Sequence, residues 1–86
     1  MHEKLIPLFD TLEQIHRGAL PVRQGEQVAK SVFLKLEEEF PLSRQKALTD
    51  FKTSFINYLG LIERHGRNTS GVRSGVENLR RRADEL

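Results

Sequence analysis

The sequence predicts an all-α protein, a small up-and-down bundle of three helices completed by a C-terminal amphipathic helix. Three observations lead there. Apolar residues recur at three- and four-residue steps along most of the chain, the period of a helix seen from one side, and no stretch alternates long enough for a strand. Gly18, Pro21, Pro41 and Gly66 fall at the joins between these segments, where helices stop and restart. The joins are short, so successive helices lie side by side in opposite directions. With 86 residues there is room for one domain. A domain of that size buries only about three-fifths of its unfolded surface, and self-association is a common supplement to its stability. Residues 1–66 are expected to form the three-helix core, and 67–86 a linker and arginine-rich helix of the same domain.

The first helix is predicted over about Glu3 to Arg17, with Leu5, Leu8, Leu12, Ile15 and Ala19 as its apolar stripe. Pro7 belongs in its first turn, where a missing N–H costs little, and Gly18 ends it. The second runs from about Gln24 to Phe40, although Pro21 is able to open it earlier. Its stripe is Val28, Ala29, Val32, Phe33, Leu36 and Phe40, and Leu34 points away. Pro41 stops it, because the residue before a proline is pushed out of the helical region. The third follows Ser43, a natural N-cap, and reaches about His65. Leu48, Phe51, Phe55, Tyr58, Leu59 and Ile62 form its stripe, but in 55–62, "FINYLGLI", apolar residues wrap most of the way round. Such a helix is covered on more than one side. Gly60 costs roughly 1 kcal/mol against alanine inside a helix, a cost offset where another backbone packs close by. In the tail, Ser74 and Glu77 have the spacing of a capping box and predict a helix start at Ser74. Val72, Val76, Leu79, Ala83 and Leu86 then make a thin seam, which has to lie on something because so short a helix is marginal alone.

Composition narrows the function. The chain has no cysteine, so disulfides and thiolate metal sites are excluded. No apolar run is long enough to span a membrane, and the charged N-terminal stretch does not resemble a signal peptide. The expected location is the cytoplasm, where the Asn68-Thr69-Ser70 glycosylation triplet is a chance match. The formal net charge of +2 conceals an asymmetry. Six arginines against three carboxylates leave residues 64–86 with three net positive charges, while residues 1–63 hold eight basic and nine acidic groups. Every cation in the tail is arginine, whose fork suits bidentate contact with carboxylate or phosphate.

Candidate chemistry is sparse. Of His2, His16 and His65, only His16 has a suggestive partner: Glu13-x-x-His16 has the spacing of helical di-metal sites. A single such motif is short of the ligands required, and a histidine at the rim of the apolar stripe is the expectation. His65 suits the last turn of the third helix, where a cation complements the dipole. Ser31, Ser43, Ser54, Ser70 and Ser74 occupy helix faces, caps or linker, and none lies in a strand–turn–helix elbow. "GVRSG" (71–75) has neither the lysine nor the preceding strand of a phosphate loop. Glu37, Glu38 and Glu39 form a solvated run or a patch answering the arginines of a second copy.

These readings describe a non-enzymatic binding module without metal or cofactor, acting as a regulator, adaptor or inhibitor through protein–protein contact, with a homodimer among its expected forms. The surfaces expected to do this are the apolar overflow of the third helix, Ile56 and Leu61, and the arginines Arg73, Arg80, Arg81 and Arg82. Both are surplus to an isolated bundle, and interfaces favour arginine. The alternative is nucleic-acid binding, by the arginine-rich segment or by a helix-turn-helix of the second and third helices led by Ser43, Arg44, Gln45 and Lys46. Against it, three glutamates precede that turn and the tail has no aromatic residue for stacking.

Overall fold

The computed structural model describes residues 3–67 and 70–86. They form four helices and no strand: α1 (Ile6–His16) entered through a 3-10 turn at Glu3–Leu5, α2 (Val22–Glu39), α3 (Gln45–His65) entered through a second 3-10 turn at Leu42–Arg44, and α4 (Ser70–Asp84). His2, Asn68 and Thr69, named above, lie outside the described residues. The molecule measures 36 × 21 × 19 Å. At about 1.5 Å per residue, the 21 residues of α3 run nearly its full length. Among the described residues no helix is long and apolar enough to cross a membrane.

Most helix ends follow from local chemistry. Gly18 takes φ 79°, and its N–H bonds to the Ile15 carbonyl while that of Ala19 bonds to Gln14. This paired closure needs a residue free to enter the left-handed region. Pro21 holds an extended conformation before Val22, so α2 begins two residues before Gln24. Phe40 is also extended ahead of Pro41. The Gln45 amide reaches back to the carbonyls of Glu37 (2.9 Å) and Phe40 (2.8 Å), satisfying backbone acceptors left open where α2 ends.

Two expected caps are corrected. Ser43 lies inside the 3-10 turn, and α3 has no side-chain N-cap; the turn closes instead through Arg44 N–H to the Pro41 carbonyl at 2.9 Å. Ser74 does not start a helix. It sits in the second turn of α4 and its hydroxyl donates to the Gly71 carbonyl at 2.9 Å. Burial of Val72 to 3% exposure explains the earlier start, because seating that side chain holds the preceding turn in helical form.

The core is built around α3. Phe33 of α2 meets Phe51 and Phe55 of α3 with ring centroids 5.8 and 5.7 Å apart, and Phe9 of α1 meets Phe51 at 6.3 Å. Burying each such ring contributes about 1.5–3 kcal/mol. All six stripe residues of α3 are buried, and Val72, Leu79 and Ala83 of α4 enter the same cluster. Elsewhere the stripes shift. Ala19 lies past the end of α1 and is exposed. Val28 is 44% exposed on the flank of α2, and Gly25 is buried in its place. Leu34 is exposed as expected.

The oily circumference of 55–62 therefore has an intramolecular explanation. Contacts of α3 reach α1 through Phe51 and Tyr58, α2 through Phe51 and Phe55, and α4 through Tyr58. Three helices of the same chain cover it, and what remains is a half-buried Ile56 and Leu61 at 44% exposure. The expected close approach at Gly60 does not occur within the chain, since nothing lies within 4 Å of where its Cβ would be. The close approach is instead at Gly75, where a Cβ would sit 2.5 Å from the Tyr58 ring.

Candidate functional site

The tail arginines are placed by the pitch of α4. Successive residues turn by about 100°, so with Val72, Leu79 and Ala83 buried, Arg80, Arg81 and Arg82 fan round the solvent side, and Arg73 lies seven residues before Arg80 on the same flank. All four are exposed. They surround the exposed part of the helix and do not share one stripe. Arg80 has a role inside the fold: its guanidinium carbon stands 5.4 Å from the centroid of Phe9, a cation–π contact joining α4 to α1. That contact was missed because Phe9, at 8% exposure, lies beside the stripe used to place α1; its i,i+4 spacing from Leu5 was the available signal.

Charge pairing divides the molecule. Among the described residues, ion pairs join Lys4 to Glu39, Arg17 to Glu13, Arg23 to Glu63, Lys30 to Glu26 and Lys52 to Glu37. Among those residues Arg64, Arg73, Arg81 and Arg82 enter none, and neither do Lys35 and Lys46. The glutamate run is also divided: Glu37 meets Lys52 at 3.2 Å, Glu39 meets Lys4 at 2.5 Å, and Glu38 stays exposed.

Leu61 is the apolar landmark of the open side. It lines a shallow groove of about 410 Å³ with Val22, Ile56, Gly60 and Arg64, and smaller depressions against α4 with Tyr58, Gly71 and Gly75. Ile56 and Leu61 lie on opposite flanks of the exposed face, five residues and about 140° apart, with Asn57, Gly60 and Arg64 between them. The two do not form one continuous apolar patch.

The suggestive histidine is committed elsewhere. His16 Nδ1 lies 2.7 Å from the Arg67 carbonyl, and Nε2 lies 2.9 Å from the Tyr58 hydroxyl. A carbonyl only accepts, so Nδ1 carries the hydrogen, and in the neutral ring Nε2 accepts from Tyr58. Glu13, three residues earlier, pairs with Arg17 at 2.5 Å. The histidine thus clasps the α3–α4 connector to α1. Burial pushes the Tyr58 phenol up to about 12. The same connector closes over the α1–α2 turn, with the Arg67 guanidinium lying against Gly18.

The residues that would lead a recognition helix are also engaged. Arg44 donates to the Leu86 carbonyl, tying the end of α4 to the start of α3, and Gln45 holds the end of α2. No family model, curated protein or solved structure matches this chain.

Proposed function

We propose that this chain is a non-enzymatic helical binding module, a small regulator, adaptor or inhibitor that works through contact with protein. One observation carries the reading. Among the described residues Arg73, Arg81 and Arg82 stand exposed on one short helix without an ion pair, whereas Lys4, Arg17, Arg23, Lys30 and Lys52 find carboxylate partners within the chain. A guanidinium left open on a rigid helix is pre-organised to take a carboxylate from outside. The exposed Leu61 adds an apolar anchor on the neighbouring helix. A helix-turn-helix reading loses support, because Arg44 and Gln45 are spent on intramolecular bonds, so nucleic-acid binding would rest on the α4 arginines alone.

The test is quantitative affinity capture with the wild-type chain, a Leu61→Asp variant, and a variant with Arg73, Arg81 and Arg82 changed to alanine. A protein held by the wild type and lost from either variant, at unchanged helicity, is the expected result. Capture indifferent to both changes overturns the proposal. In parallel, duplex DNA and RNA are titrated at low salt. Binding whose affinity falls steeply with salt, and falls further in the triple-alanine variant, would replace the protein-contact reading with the phosphate one.

A further inference from the structure

The outward side of α3 carries a charge pattern that none of the contacts above uses. Asp50 and Arg64 are both exposed, and among the described residues neither side chain forms an ion pair or hydrogen bond. They stand seven residues either side of Asn57, itself exposed. Fourteen residues bring a helix back to within about 40° of the same direction, roughly 21 Å further along. Asp50, Asn57 and Arg64 therefore lie in one row, negative before Asn57, uncharged at it and positive after it, with the exposed Lys46 one turn further out beyond Asp50. Thr53, Gly60 and Leu61 fill the space between without charge.

We infer that this face is where two copies of the chain meet, their α3 helices antiparallel and crossing at Asn57. The inference rests on the protein-contact reading above and names one partner for it. A two-fold axis through Asn57 sets Arg64 against Asp50 of the partner subunit, and repeats that pairing on the other side, as an isologous contact requires. Leu61 then comes opposite Thr53 of the partner subunit. A parallel pair would set like charge against like, so the row specifies the direction of the partner as well as its identity. Gly60 fits the same arrangement. Inside the subunit no atom comes within 4 Å of its missing Cβ, so the fold itself gives no reason for glycine there. A second helix crossing beside Asn57 supplies one, because the absent side chain lets the two backbones approach.

The experiment is sedimentation equilibrium of the full chain from micromolar to millimolar concentration at low salt. It compares the wild type with Asp50→Arg, Arg64→Asp, the double swap, and Gly60→Gln. The wild type is expected to form a dimer. Each single swap should weaken it on the order of tenfold or more, since both symmetric pairs turn repulsive, and the double swap should restore it. Gly60→Gln should keep or raise the melting temperature, because glutamine is the better helix former and the site is open, and yet abolish the dimer. A wild type that stays monomeric throughout overturns the inference, as does a dimer indifferent to the swaps or to Gly60→Gln. A monomer that still captures a protein lost on Leu61→Asp would assign the face to a different partner. The self-contact would then fail and the protein-contact reading would stand.

Discussion

Tyr58 ties three helices together through one side chain. Its ring packs against the backbone of Gly75 in α4, and its hydroxyl reaches His16 in α1, which in turn holds the connector at Arg67. Its phenol is pushed up from 10 to about 12 by burial, so the native state keeps a proton that the unfolded chain has released. Between pH 10 and 12 the unfolded state binds fewer protons, and stability falls as pH rises. The loss is at most on the order of 2 kcal/mol across the window, because the hydroxyl is only partly buried and solvent screens it. Urea unfolding at stepped alkaline pH should show it in the wild type and a flatter dependence in Tyr58→Phe. The chain has one tyrosine and no tryptophan, so phenolate absorbance follows this residue alone. Its glycine neighbour gives a second prediction. Gly75→Ala gains up to about 1 kcal/mol of helix propensity but drives a methyl into the Tyr58 ring, and overpacking typically costs about 1–3 kcal/mol. Net destabilisation is expected at Gly75, whereas Gly60→Ala, facing open space, should stabilise the subunit. Thermal melts of the two variants at low protein concentration decide it, and a stabilised Gly75→Ala would contradict the packing described for α4.

At the scale of elements, α4 depends on the rest of the bundle. It contributes Val72, Leu79 and Ala83 to the shared core and gains Tyr58, Phe9 and Arg44 as partners. Fifteen residues with two interior glycines form a marginal helix in water. A peptide of residues 70–86 should be largely unfolded by circular dichroism, and Leu79→Ala in the full chain should cost about 2–5 kcal/mol. A stably helical peptide would mean that α4 needs no docking. The seam of α4 was legible because it depends only on spacing, and so were the six buried residues of α3 and the stops at Gly18, Pro41 and Gly66. The caps at Ser43 and Ser74 were misread because a cap is a local preference: docking of Val72 outweighs it at Ser74, and the 3-10 turn after Pro41 replaces it at Ser43. The clasp from His16 was invisible because its partners lie 42 and 51 residues away. The exposure of Leu61 could be suspected from the sequence. That Ile56 falls on the opposite flank follows from its five-residue spacing from Leu61, whereas the hold of Phe9 on Arg80 depends on which helix covers which side, and periodicity leaves that open.

For the whole molecule the question is whether the arginine-rich tail is an appendage or a structural quarter of the domain. The core does not divide at residue 66: Tyr58, Leu59 and Ile62 of α3 and Val72, Leu79 and Ala83 of α4 belong to one cluster. Arg44 also binds the chain end at Leu86, so both ends of α4 are tied back, one through the Arg67 connector and one through the 3-10 turn. Separate melting of α4 would strip the cover from Tyr58 and break the cation–π contact at Phe9, while α1, α2 and α3 would be left with an open apolar flank. Such an intermediate has little to hold it, and small single domains usually unfold in one step. Tyr58 makes the prediction measurable, because it reports on the α3–α4 contact and the His16 clasp while far-ultraviolet circular dichroism reports on all four helices. In urea the two signals should give coincident transitions with the same midpoint and slope. A tyrosine transition preceding the loss of helicity would show that the α3–α4 contact and the His16 clasp on its connector open first, and the surface carrying Arg73, Arg81 and Arg82 would then belong to a detachable arm.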